Sequence, residues 1–92
     1  MHTATVQFEL SEASEHLQRI VADLRAGRIA ADGDAGLGVE LAHVLDHICR
    51  AWNCKDQTPE QHAALSQTEF ERLSHTVPNF LGERIIGEFA LT

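Results

Sequence analysis

Residues 10–27 read LSEASEHLQRIVADLRAG. Leu10, Ala13, Leu17, Ile20 or Val21, and Leu24 recur at spacings of three and four, which gathers them on one face of an amphipathic helix. Ser11 offers an N-cap, Glu12 and Glu15 suit the positive end of a helix dipole, and Glu15 pairs with Arg19 one turn on. Gly27, just past Arg25, supplies the C-cap. The expectation is a first helix over about residues 11–26.

Towards the N-terminus, Thr5-Val6-Gln7-Phe8-Glu9-Leu10 alternates apolar and polar residues, so residues 1–10 read as a short extended segment. Towards the C-terminus, Ile29 to Gly38 holds three of the six glycines together with Asp32 and Asp34, a loop ending in an Asp N-cap. Leu37, Leu41, Val44, Leu45, Ile48 and Trp52 then share one arc at 100° per residue, which predicts a second helix over about 35–53. Thr58-Pro59-Glu60-Gln61 combines a Thr cap, Pro at the first helical position and Gln at N3, a capping box. Ser66-Gln67-Thr68-Glu69 repeats the pattern, so a short helix over 59–65 is followed by another over 67–76, with Phe70, Leu73 and Val77 apolar and Pro78 ending it. Residues 79–92 fit a helix capped by Asn79, which periodicity favours, or a strand, since Gly82 and Gly87 weaken the helix.

The fold class expected is all-α: a small bundle of two long helices and two or three short ones, with an N-terminal extended segment, in one domain over 1–92. Its expected core is Leu10, Leu17, Ile20, Leu24, Leu41, Leu45, Ile48, Trp52, Phe70 and Leu73. Only 26 positions carry a large apolar side chain, a thin core for which pairing with a second copy is a ready source of stability.

Charge and hydropathy narrow the function. With 14 Asp and Glu against 7 Lys and Arg, the net charge of -7 has the wrong sign for neutralising phosphates, so no nucleic-acid partner is expected. The start carries no signal-peptide pattern and no stretch approaches 18 apolar residues, so the chain reads as cytoplasmic with no membrane partner. Six histidines would take the charge from -7 to -1 when protonated, which makes repulsion between copies pH-dependent near the ordinary His pKa of about 6.5.

Glu40-x-x-His43 with His43-x-x-x-His47 puts one carboxylate and two imidazoles on one helix face, a donor set for zinc or iron. That face points away from the apolar arc, and no second E-x-x-H is present, so the plainer reading is a solvated or dimer-facing polar surface. Glu12/His16 and Glu71/His75 are similar pairs off their own apolar stripes. Cys49 and Cys54 match neither a redox nor a zinc spacing; Cys54, beside Lys55 near a helix end, is the candidate reactive thiol. Nucleophile-elbow, phosphate-loop and dinucleotide motifs are absent from the sequence, so no catalytic residue is assigned and no cofactor is expected.

Apolar residues outside the long helices, Val6, Phe8, Phe80, Ile85, Ile86 and Phe89, either fold back over the core or form an interaction surface. The function these features suggest is a non-catalytic protein–protein interaction module acting as a homodimer, or with another protein as partner. The alternative is a metal-binding protein using Glu40, His43 and His47, within one chain or across a dimer interface.

Overall fold

The computed structural model describes residues 1–29 and 33–81. Over them the chain forms α1 (Thr3–Arg25), α2 (Gly33–Asn53), α3 (Pro59–Ala63) and α4 (Gln67–His75), followed by a 3-10 turn at Asn79–Leu81. The fold is thus an all-α small helical bundle with two long helices and two short ones, and no strand occurs among the described residues. Residues 82–92, and with them Ile85, Ile86 and Phe89, lie outside the described part of the chain.

The first turns of α1 correct the expected extended segment. Residues 3–10 are helical and Ser11 lies inside the helix rather than capping it. The alternation at 5–10 also contains the helical pair Thr5 and Glu9, four apart, and both are buried against neighbouring elements. An extended segment would need a partner strand for its backbone groups, whereas a helix satisfies them within itself. At the other end Gly27 adopts φ +77, and Gly27 N–H donates to Leu24 O (3.1 Å) while Arg28 N–H donates to Asp23 O (2.9 Å), the Schellman pattern that stops the helix.

α1 and α2 form an antiparallel hairpin. His2 N–H donates to Lys55 O (2.6 Å), Thr5 Oγ1 donates to Gln57 O (2.8 Å), and further along Glu9 meets Arg50 and His16 meets Glu40. The seam consists of Thr5, Glu9, Ala13, His16 and Ile20 on α1 and Leu37, Glu40, Val44, His47 and Ala51 on α2, rows at spacings of three and four. Ala13, Ile20, Ile29 and Val44 make the apolar part of this core, with Leu37 packed on it.

That seam overturns most of the expected core. Ile20 and Leu73 are buried and Trp52 and Phe70 half-buried, but Leu10, Leu17, Leu24, Leu41, Leu45 and Ile48 remain between 38% and 55% exposed. Their stripes are turned about a quarter turn from the seam on both helices, and in an antiparallel pair those two rotations place them on the same side of the hairpin. The opposite side carries α3 and α4.

The short helices start where capping chemistry directs. Thr58 Oγ1 accepts from Gln61 N–H (3.1 Å) and Gln61 Oε1 accepts from Thr58 N–H (2.8 Å), and Ser66 Oγ accepts from Glu69 N–H (3.2 Å). α4 is tied to α2 by Asn53 Nδ2, which donates to the carbonyls of Leu73 and Thr76 (2.8 Å each), caps for an otherwise open helix end. Trp52 Nε1 donates to Asn79 Oδ1 (2.7 Å) and its ring meets Phe80 edge-on at 4.8 Å, which docks the 3-10 turn. Among the described residues no helix is long and apolar enough to cross a membrane.

Candidate functional site

Glu9 sits on α1 with 1% of its surface exposed, a position where an isolated carboxylate would be very costly. It is held by three donors from two other helices. Arg50 Nε (3.0 Å) and His62 Nε2 (2.9 Å) approach Oε1, and His47 Nδ1 (2.8 Å) approaches Oε2. Burial by itself would raise the Glu9 pKa, but the hydrogen bonds from Arg50, His47 and His62 outweigh it and hold the carboxyl below its usual range. With Glu9 ionised, both imidazoles turn an N–H towards it; Arg50 Nη2, also 2.9 Å from His47 Nδ1, is then a neighbour rather than a donor to that nitrogen. His62 Nδ1 is left buried with no hydrogen-bond partner among the described residues.

Arg50 extends the network. Its Nη1 donates to Ser74 Oγ (2.6 Å), Ser74 Oγ donates on to Phe70 O (2.7 Å), and the guanidinium lies 4.3 Å from the Phe70 ring centroid. The planar fork of arginine serves a carboxylate, a hydroxyl and an aromatic face at once, which a lysine ammonium could not. A cavity of about 770 Å³ opens beside these groups, with Phe8, Leu65 and Phe70 as its apolar lining and Glu9, Glu12, His47, Arg50 and His62 as its polar one.

Two turns along the same seam lies a second cluster. Ligand atoms of His16 on α1 and of Glu40 and His43 on α2 all come within 4.8 Å of one another. His16 Nε2 is 3.8 Å from Glu40 Oε2, and the His16 ring meets His43 at 5.4 Å and His47 at 5.8 Å between centroids. Of the three residues singled out on α2, Glu40 and His43 therefore stand together, while His47 is drawn to Glu9 and its place is taken by His16 from the facing helix. The polar face of α2 is not simply solvated: His47 and Glu40 are half-buried in the seam, and His43 is exposed at its edge.

The cysteine expectation is corrected. Cys54 is fully buried, and burial pushes its thiol above the usual range, with the Glu9 carboxylate adding to the shift; Lys55 does not offset this. Lys55 turns instead to Asp56 (2.9 Å) and to the Trp52 ring (5.0 Å). Cys49 is likewise buried and raised by burial, with Asp46 adding to it. Of the expected interaction residues, Phe8 and Phe80 are both 55% exposed and Val6 is half-buried.

Local spacing does not mark Glu9, Arg50 and His62 as site residues, because Arg50 and His62 lie 41 and 53 positions from Glu9. A signal was present in α1, where Thr5, Glu9, Ala13, His16 and Ile20 form a row of seam spacing beside the leucine stripe. Comparison with protein-family models, with curated proteins and with solved structures finds no match to this chain.

Proposed function

We propose that the chain is a homodimerising interaction module, and that two copies pair through the leucine face of the α1–α2 hairpin. The observation that carries this reading is the exposed row Leu10, Leu17, Val21 and Leu24 on α1 beside Leu41, Leu45 and Ile48 on α2. By helical phase no charged side chain falls on that side between Leu10 and Leu24 or between Leu41 and Trp52. Depletion of charge at the centre of an apolar patch is the compositional mark of an interface core, and such patches on small monomers point to a partner.

A second copy fits this surface better than a dissimilar partner. The face is built from two antiparallel helices, so a twofold mate presents the same pair, and the result is the layered four-helix arrangement that such hairpins form. Completing the burial of a half-exposed Leu, Ile or Val contributes about 1 kcal/mol, so seven from each copy contribute on the order of 14 kcal/mol. Set against an association cost of about 4–15 kcal/mol, that sum leaves a net between about 10 kcal/mol and nothing, a range that contains the roughly 8 kcal/mol of micromolar pairing. This reading puts the interaction surface on the middle of the long helices rather than at the chain ends.

Sedimentation or light scattering of the purified chain across micromolar concentrations is the test. The expected mass is twice 10.2 kDa. Leu17→Glu and Leu45→Glu are expected to give monomers with unchanged helix content, since both positions are exposed in the single chain. A wild-type chain that remains at 10.2 kDa throughout would sink the reading.

A further inference from the structure

We infer that His16, Glu40 and His43 form a binding site for one divalent transition-metal ion of the zinc class, set across the α1–α2 seam. Two imidazoles and one carboxylate are the donor types such ions take, and three protein ligands with an open fourth position is the arrangement of an accessible rather than a closed zinc site. The helices already supply the geometry. Glu40 and His43 are three apart and share a face of α2, and the hairpin brings His16 opposite them, so that all three ligand atoms lie within 4.8 Å of one another.

Two features separate this cluster from an ordinary polar surface. First, its donors are unspent. His16 Nε2 and Glu40 Oε2 are 3.8 Å apart, too long for a hydrogen bond, and Glu40 has no lysine or arginine partner among the described residues. Contraction to bonds of about 2.1 Å, with ligand atoms about 3.4 Å apart, requires side-chain rotations of about 1 Å, which exposed His43 and half-buried Glu40 have room to make. Second, the cluster occupies seam positions: His16 and Glu40 stand in the rows that elsewhere hold Ala13, Ile20, Leu37 and Val44. Apolar side chains there would stabilise the hairpin more, so polar ones in this place need a partner to offset their burial. A cation joining α1 to α2 is that partner, and the -7 charge of the chain favours its approach.

His47 stands beside the site without belonging to it. Its ring is 5.8 Å from that of His16, and its Nδ1 is engaged by Glu9. The ligand set is therefore distinguishable from the one the α2 sequence alone suggests, Glu40 with His43 and His47.

The experiment is a calorimetric titration of the untagged, reduced chain with zinc chloride, repeated with cobalt(II) and read by its visible absorption. Expected are one ion per chain and at least a tenfold loss of affinity in each of His16→Ala, Glu40→Ala and His43→Ala. His47→Gln is expected to change affinity less than threefold, and circular dichroism checks that each variant keeps its helix content. Absence of saturable binding overturns the proposal, as does a loss under tenfold in His16→Ala or a larger loss in His47→Gln than in His16→Ala. The readout is independent of association between chains, so a monomeric protein that binds zinc in this way leaves the site standing.

Discussion

Glu9 Oε1 and Arg50 Nε lie 3.0 Å apart, both side chains more than nine-tenths buried, across 41 residues of chain. Through this pair all four helices meet: α1 gives the carboxylate, α2 gives Arg50 and His47, α3 gives His62, and α4 gives Ser74 and Phe70. A buried pair of this kind is costly to break from one side, because the remaining charge is left without its counterpart. Glu9→Gln and Arg50→Met are each expected to cost about 3–5 kcal/mol in urea unfolding, and the double variant less than the sum of the two. Single costs below about 1 kcal/mol would show that the network does not hold the bundle together.

The pH dependence of stability follows from the same carboxylate. Burial would raise the Glu9 pKa, but its donors prevail and the folded value lies below the ordinary 4.5. A depressed acid contributes stability in full above its unfolded pKa and loses it as pH falls through the folded one. The wild-type chain should therefore lose stability more steeply than Glu9→Gln as pH falls below the ordinary carboxyl value of 4.5, measured by the urea midpoint at each pH. Equal slopes would assign the acid transition to other groups. Asp56 and Glu69, also lowered by hydrogen bonds from Lys55 and Arg72, are exposed and add little.

Inward and outward positions are separable by truncation. Ile20→Ala removes a side chain packed against Ala13, Ile29 and Val44 and should cost about 2–5 kcal/mol. Leu45→Ala, at a residue 55% exposed, should cost about 1 kcal/mol or less in dilution where the chain is monomeric. Denaturant melts of the two variants decide this, and a core-sized cost at Leu45 would contradict the packing described.

Thiol chemistry offers an independent check. Cys49 and Cys54 are buried and their thiols are raised by burial, so the thiolate that alkylating reagents need is scarce and shielded. Both are expected to react with iodoacetamide only as fast as the chain unfolds, with rates rising together in urea. A Cys54 that reacts readily in native buffer would return it to the role of surface nucleophile.

The helices of this protein are legible one segment at a time. Thr58 with Gln61, Ser66 with Glu69, and Gly27 beyond Arg25 act within four residues of themselves, so the chain announces these starts and stops without reference to the rest of the fold. Two of the three residues of the His16–Glu40–His43 cluster are legible for the same reason, since Glu40 and His43 are neighbours on one helix; His16 is not, because only the hairpin brings it to them.

What the sequence determined by itself is local: where helices run, how they are capped and on which stripe their leucines fall. Which stripe turns inward was decided only in three dimensions. Periodicity gives the direction of an apolar face but not whether its partner belongs to the same chain. Here α1 and α2 meet along the row through Glu9, Ala13, Ile20, Val44 and His47, because Arg50 and His62 satisfy the carboxylate that this row buries and the small side chains of Ala13 and Ala51 let the helices close. The leucines are left on one outer side of the hairpin, so the rows expected to form the core stay on the surface of the single chain.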